Sequence, residues 1–213
     1  MEQKSCFVMI STAFETLSVY CAKQKIHFLS TPFDLESLSF LVNKVKVKQL
    51  KLPSGEITNL PYLIEIAKAN KKVILSTGMS NLKEIDSAIR ILTSYGTSKK
   101  NITLLHCNTS YPTPMKDVNL KVINSLRKKF KIDVGYSDHT LGVEISIASV
   151  SLGAKVIEKH FTLNKNWLGP DQSSSLNVKE FAYMVNSIRN IEIARGRDKK
   201  KITPSERENV NFA

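Results

Sequence analysis

His139 and His160 are the side chains whose type and setting best suit a divalent metal. Each closes a polar motif behind a short apolar run, Tyr136-Ser-Asp-His139 and Lys159-His-Phe161. Two imidazoles that leave positions open for water and substrate make a catalytic metal site; their spacing alone also allows two structural histidines. Asp138 stands beside His139, where a carboxylate can orient a metal-binding imidazole. Lys51, Ser54, Thr31, Ser76, Asn108 and Ser137 likewise lie at the ends of successive apolar runs. For the lysine the plain alternative is a solvated cation, and for the hydroxyls a turn or a helix cap. Glu56 is the candidate general acid/base, because a carboxylate near a metal and a lysine can be tuned for proton transfer. His27 reads as a structural strand residue and His106 as support for Asn108. No glycine-rich nucleotide loop of either standard kind occurs.

The elements that must position these residues show in the hydropathy pattern. Six short runs, at residues 26–29, 47–50, 73–75, 102–105, 132–134 and 155–157, are β-branched and apolar and recur every 20–30 residues or so. Helical periods lie between them: Leu60, Leu63, Ile64 and Ala67 share a face, as do Ile85, Ala88, Ile89 and Leu92. Two further faces are Val118, Val122, Ser125 and Leu126, and Val143, Ile147, Val150 and Ser151, with outer helices over 12–23 and 178–194. Strands alternating with helices predict parallel pairing through βαβ crossovers. Motifs after all six strands point to a (β/α)8 barrel, which carries its site on the C-terminal strand ends. A doubly wound sheet would gather such chemistry at one switch point. A closed barrel needs eight strands, so about six βα units make a TIM barrel that lacks two.

The 213 residues carry 42% hydrophobic and 23% charged side chains, which excludes disordered, collagenous and low-complexity classes. No stretch approaches the roughly 20 apolar residues of a membrane span. The N-terminus has a short apolar run but carries Glu2 and lacks a basic cluster before the run, so it reads as a helix lead-in rather than a signal peptide. Cys6, Cys21 and Cys107 form no disulfide or zinc pattern, and a reduced, cytoplasmic protein is the expectation. The net charge of +12 is spread along the chain and is densest over 195–201. It reads as a solvated basic face or a general attraction for anionic substrates, not as a nucleic-acid site.

The ordered motifs STPFD (30–34), KLPSGE (51–56), NLPYL (59–63), STGM (76–79), LHCNTSYPTP (105–114), GYSDHT-G (135–142), IEKHFTL (157–163) and GPD (169–171) resemble the N-acetylneuraminate (sialic acid) synthase family, with its legionaminic and pseudaminic acid synthases. The resemblance covers about residues 12–210. It implies a (β/α)8 barrel that condenses phosphoenolpyruvate with an N-acetylated amino-sugar aldehyde, such as N-acetylmannosamine, and releases phosphate. It also implies a divalent metal, manganese first and magnesium or cobalt as alternatives, with His139 and His160 as its ligands. Phosphoenolpyruvate needs cations and neutral donors, and the family's matching positions here are Lys51, Ser54, Thr31, Ser76, Asn108 and Ser137. Glu56 matches a glutamate near the reacting atoms. Tyr111 and Asp171 match residues that hold the sugar hydroxyls, against the alternatives of a packed tyrosine and an Asx turn. Trp167 either lines the sugar site or simply packs.

This sequence departs from the family in two respects. Family members usually read GPDH where this chain has Gln172, which bears on the sugar pocket. The family's first two βα units, with motifs near EIGxNHxG and KFQ, do not occur here, nor does its C-terminal antifreeze-like domain. The expected division is therefore 1–25 as lead-in and first helix, 26–195 as partial barrel and 196–213 as basic tail. The expectation is a chain poorly active by itself, completed by a homodimer or by a partner chain that supplies strands, or else a non-catalytic remnant.

Overall fold

The computed structural model describes residues 2–168 and 171–212, with the backbone alone for 2–10 and 211; Gly169 and Pro170 of the GPD motif lie outside the described residues. Five strands form one parallel sheet: β1 (Gln49–Leu52), β2 (Lys72–Ser76), β3 (Ile102–Cys107), β4 (Asp133–Asp138) and β5 (Ile157–Lys159). Their order in space is their order in the chain. Sequential order is barrel topology, since a doubly wound sheet would reverse direction at a switch point. The connecting helices are α3 (Leu60–Lys68), α4 (Leu82–Ser94), α5 (Val122–Phe130) and α6 (Glu144–Ser151), preceded by α1 (Glu2–Lys23) and α2 (Leu35–Asn43) and followed by α7 (Val178–Ala194).

Side-chain alternation divides the sheet into two faces. Leu50, Leu52, Val73, Leu75, Ile102, Leu104, Val134 and Tyr136 are buried in the core beneath the helices. The residues between them, among them Lys51, Ser137 and Glu158, turn to the concave face. There Lys51 Nζ on β1 lies 3.3 Å from Glu158 Oε1 on β5. In a flat sheet four strand spacings would hold these strands roughly 19 Å apart. The sheet is therefore curled into half a barrel. Gly135 permits the curl: a Cβ there would overlap the carbonyl oxygen of Val156 and come within 2.7 Å of Leu105 Cδ2.

The strand expected at 26–29 does not form. Phe28 instead packs on the core edge-on to Phe14, with ring centroids 6.0 Å apart. A strand needs a ladder partner, and a cleft of about 680 Å³, lined in part by Ile26, Leu29, Ile74 and Val156, separates this segment from the sheet. The sheet thus has five strands among the described residues, not six. Other expected bounds shift. β1 starts two residues later than Val47, β4 runs on through Tyr136–Asp138, β5 lies at Ile157–Lys159 instead of 155–157, and α5 starts at Val122 because Asn119, at φ 48°, interrupts a helix beginning at Val118. The helix expected over 12–23 runs from Glu2. Side-chain caps start several helices: Asp34 on α2, Asn59 on α3 and capping boxes at Asn81–Glu84 on α4 and Asn177–Glu180 on α7.

Candidate active site

Four strand ends converge on the concave face at its C-terminal rim. Lys51 is buried there, and Glu158 Oε1 both pairs with it and accepts a hydrogen bond from Ser137 Oγ at 2.7 Å. Ser137 Oγ also lies 3.3 Å from Nε2 of His139. His139 is 9% exposed, and its Nδ1 stands 2.6 Å from the backbone oxygen of Asn108. A carbonyl can only accept, so Nδ1 carries the proton and Nε2 holds a lone pair. Ser137 has one proton, and in this arrangement it is given to Glu158. The lone pair of Nε2 is then not taken up by Ser137. Burial lowers the pKa of the His139 imidazole, and the nearby His160 adds to this, so the neutral ring is favoured.

His160 follows β5, with its ring perpendicular to that of His139 and 5.4 Å away between centroids. Tyr111 stacks on His139 at 4.0 Å and meets His160 edge-on at 5.3 Å. Burial is the first cause holding the Tyr111 phenol above its ordinary pKa, helped by Cys107, Asp171 and Glu158. Asp171 Oδ2 lies 3.7 Å from His160 Nδ1. The donor set suits a weakly held divalent cation: a neutral imidazole fixed by a carbonyl on its far nitrogen, a second imidazole beside it and carboxylates at the rim. Among the described residues no three or more His, Cys, Asp or Glu side chains come together closely enough to hold a metal ion, so the imidazole pair would need ligands from outside these side chains. As a cation site the pair would be open, with positions left for water or substrate.

The remaining sequence-predicted residues stand at varying distance from this centre. Ser54 Oγ accepts from the Gly78 N–H at 2.9 Å and lies 3.4 Å from Cys107 Sγ, in a niche where a Cβ on Gly78 would come within 2.9 Å of Ser54 Oγ. Ser76 is buried at the end of β2. The Asn108 side chain turns to the Ser110 N–H, so its backbone carbonyl is what meets the site. Glu56, half-buried in a 3₁₀ turn, accepts from Asn59 Nδ2 at 2.6 Å. Thr31 lines a small cavity with Phe14 and Phe40, between α1 and α2, and is not brought to the imidazoles. Gln172 accepts from the Thr162 hydroxyl and so turns back toward β5. Trp167 is exposed in its loop, and His27 is exposed beside the lower cleft.

Two readings are corrected. Asp138 makes no direct hydrogen bond to the His139 ring; its carboxylate is buried on the opposite face and binds Lys159, Thr140 and Ser146. The Asn108 carbonyl is the direct partner of the ring. His106 does not support Asn108; its Nε2 lies 2.9 Å from the Val118 carbonyl. Glu158 received no role from the sequence. The signal that could have found it is alternation, because a strand residue two before His160 shares its face.

Residues 3–200 match the NeuB family. The chain belongs to that family. It is 55% identical over 200 residues to the N,N'-diacetyllegionaminic acid synthase of Campylobacter jejuni, covering 94% of this chain and 60% of that protein. It is 37% identical over 194 residues to the human N-acetylneuraminate-9-phosphate synthase, covering 91% of this chain and 53% of that one. The crystal structure of the N-acetylneuraminic acid (sialic acid) synthetase of Leptospira borgpetersenii, in complex with citrate, matches at TM-score 0.86 and 35% identity, over 95% of this chain and 70% of that one. This NeuB-family chain therefore spans about half to three-fifths of the length of these two curated relatives. Among its described residues no helix is long and apolar enough to cross a membrane.

Proposed function

We propose that this chain supplies the catalytic strands of a nonulosonic acid synthase, which joins phosphoenolpyruvate to an N-acetylated amino-sugar aldehyde and releases phosphate. The observation that carries the reading is the convergence of Lys51, Ser137, His139 and His160 on one concave face, with Tyr111 across the imidazoles. The reaction forms a bond from the phosphoenolpyruvate methylene to the aldehyde carbon. The aldehyde oxygen takes a proton, water adds at the resulting oxocarbenium carbon, and phosphate departs. Lys51, buried and paired with Glu158, is presented to a carboxylate or phosphate, the hydroxyls of Ser54 and Ser76 add neutral donors, and Ser137 becomes a donor to substrate only by turning its proton away from Glu158. His139 Nε2 and His160 would hold the metal; bound there, a divalent cation such as manganese supplies Lewis acidity to the aldehyde. Tyr111 and Asp171, which lie beside His160, are the candidates for holding sugar hydroxyls. Glu56 is the candidate proton donor at the edge of the mouth. Greater identity to the N,N'-diacetyllegionaminic acid synthase than to the human enzyme favours a di-N-acetylated sugar as the first substrate to try. The free edges of β1 and β5 favour a second reading, in which turnover needs further strands seated between them.

The test is phosphate release from phosphoenolpyruvate with manganese and each precursor sugar, beside calorimetric titration of phosphoenolpyruvate alone. Release that needs sugar and metal, and falls at least 100-fold in His160→Ala, is expected of a working site. Binding weakened about 10-fold by Lys51→Ala, without turnover, supports the second reading. Binding that neither substitution changes sinks both.

A further inference from the structure

The β4–β5 ladder ends at the register pair Asp138↔Lys159. His139 and His160 are the next residue on each strand, one step beyond the last rung. Neither histidine is itself in a register pair, and their backbone oxygens are held from other segments, by the Thr113 and Leu176 N–H groups at 2.9 Å each. Directly behind them, on the face turned away from the mouth, Lys159 Nζ meets Asp138 Oδ2 at 3.0 Å, with side-chain exposures of 1% and 0%. The same ammonium donates to the Thr140 carbonyl at 2.5 Å. It therefore grips the residues on both sides of His139 from the strand that carries His160.

The rest of the Asp138 carboxylate is also satisfied. Oδ1 accepts from the Thr140 N–H at 2.9 Å and from its hydroxyl at 2.7 Å, and Oδ2 accepts from Ser146 Oγ on α6 at 2.6 Å. A fully desolvated pair is a poor device for stability alone, because apolar side chains of similar volume serve as well or better. What a buried pair adds is a fixed geometry. We infer that Asp138 and Lys159 are positioning residues, a strap across β4 and β5 that sets the separation and attitude of His139 and His160. The inference rests on the proposed metal reading for its ligand, though not for its geometry.

Lys159→Met alone leaves a buried carboxylate uncompensated and is expected to fold poorly. The informative variant is Asp138→Asn with Lys159→Met. The asparagine keeps an oxygen for Thr140 and an amide for Ser146, no charge is stranded, and only the cross-strand tie is lost. Manganese affinity is read by electron paramagnetic resonance, and the imidazole resonances of His139 and His160 by NMR without metal. In the doubly substituted chain, with circular dichroism unchanged, the strap predicts manganese binding weakened at least 10-fold and the resonances of both rings shifted or broadened. A double variant that folds, binds manganese like the parent and leaves both ring signals in place overturns the strap. If the parent binds no manganese, or binds it regardless of His160→Ala, the metal reading fails instead, and the ring signals alone decide the strap.

Discussion

At the scale of single residues, burial and hydrogen-bond direction set the chemistry. His106 and His139 are both held neutral by burial, and each gives its one N–H to a backbone carbonyl. Their folded pKa values lie below the ordinary 6.5, so the unfolded chain binds more protons than the folded one in the window beneath that value. The contribution of these two rings to stability is complete above about pH 6.5 and is lost as pH falls toward their folded values. Urea midpoints at pH 7.5 and 5.5 should therefore differ, with the lower pH less stable. His106→Gln, which can still donate to Val118, should shrink that difference; an unchanged difference would show that His106 is protonated without penalty. The imidazole pair, Lys51 and Ser137 were legible as types at strand ends. Glu158 and the true partner of Asp138 were not, because which face a residue serves depends on register, and register is not written in a motif.

At the scale of elements, the strands and helices alternate where the hydropathy periods place them, and the misses have local causes. Residues 26–29 carry a strand composition but have no ladder to join. The helix expected from Val118 waits for Val122 because Asn119 adopts a left-handed backbone conformation. The approach of β5 to β4 depends on one position. Gly135→Ala would drive a methyl group into the Val156 carbonyl, a backbone atom with nowhere to move, and into Leu105. A cost of about 2–3 kcal/mol is expected, read as a lower urea midpoint. The same substitution should also loosen the Lys51–Glu158 tie, since β5 must shift outward. A midpoint within error of the parent would mean that the strands separate there at little cost.

At the scale of the whole molecule, the fold class and the curl of a barrel followed from period and motif placement, whereas the tie between β1 and β5 across the concave face did not. That tie is a contact between residues 51 and 158, far apart in the chain, that no local pattern encodes. The half-barrel leaves its lower interior open, with Ile26 and Leu29 exposed beside the cleft. Hydrophobic dye should therefore fluoresce with the native chain, and Ile26→Asn with Leu29→Asn should remove much of that signal while circular dichroism stays constant. Undiminished emission would place the dye elsewhere. The sequential order β1-β2-β3-β4-β5 has a kinetic consequence. Every ladder joins neighbours in the chain, so no rung waits for the closure of a loop longer than one βα unit, and contact order stays low for a parallel sheet. During synthesis each strand can dock on its predecessor as it leaves the ribosome. The Lys51–Glu158 tie, which joins first strand to last, must then form late, and the concave face becomes a site only when the fifth strand arrives.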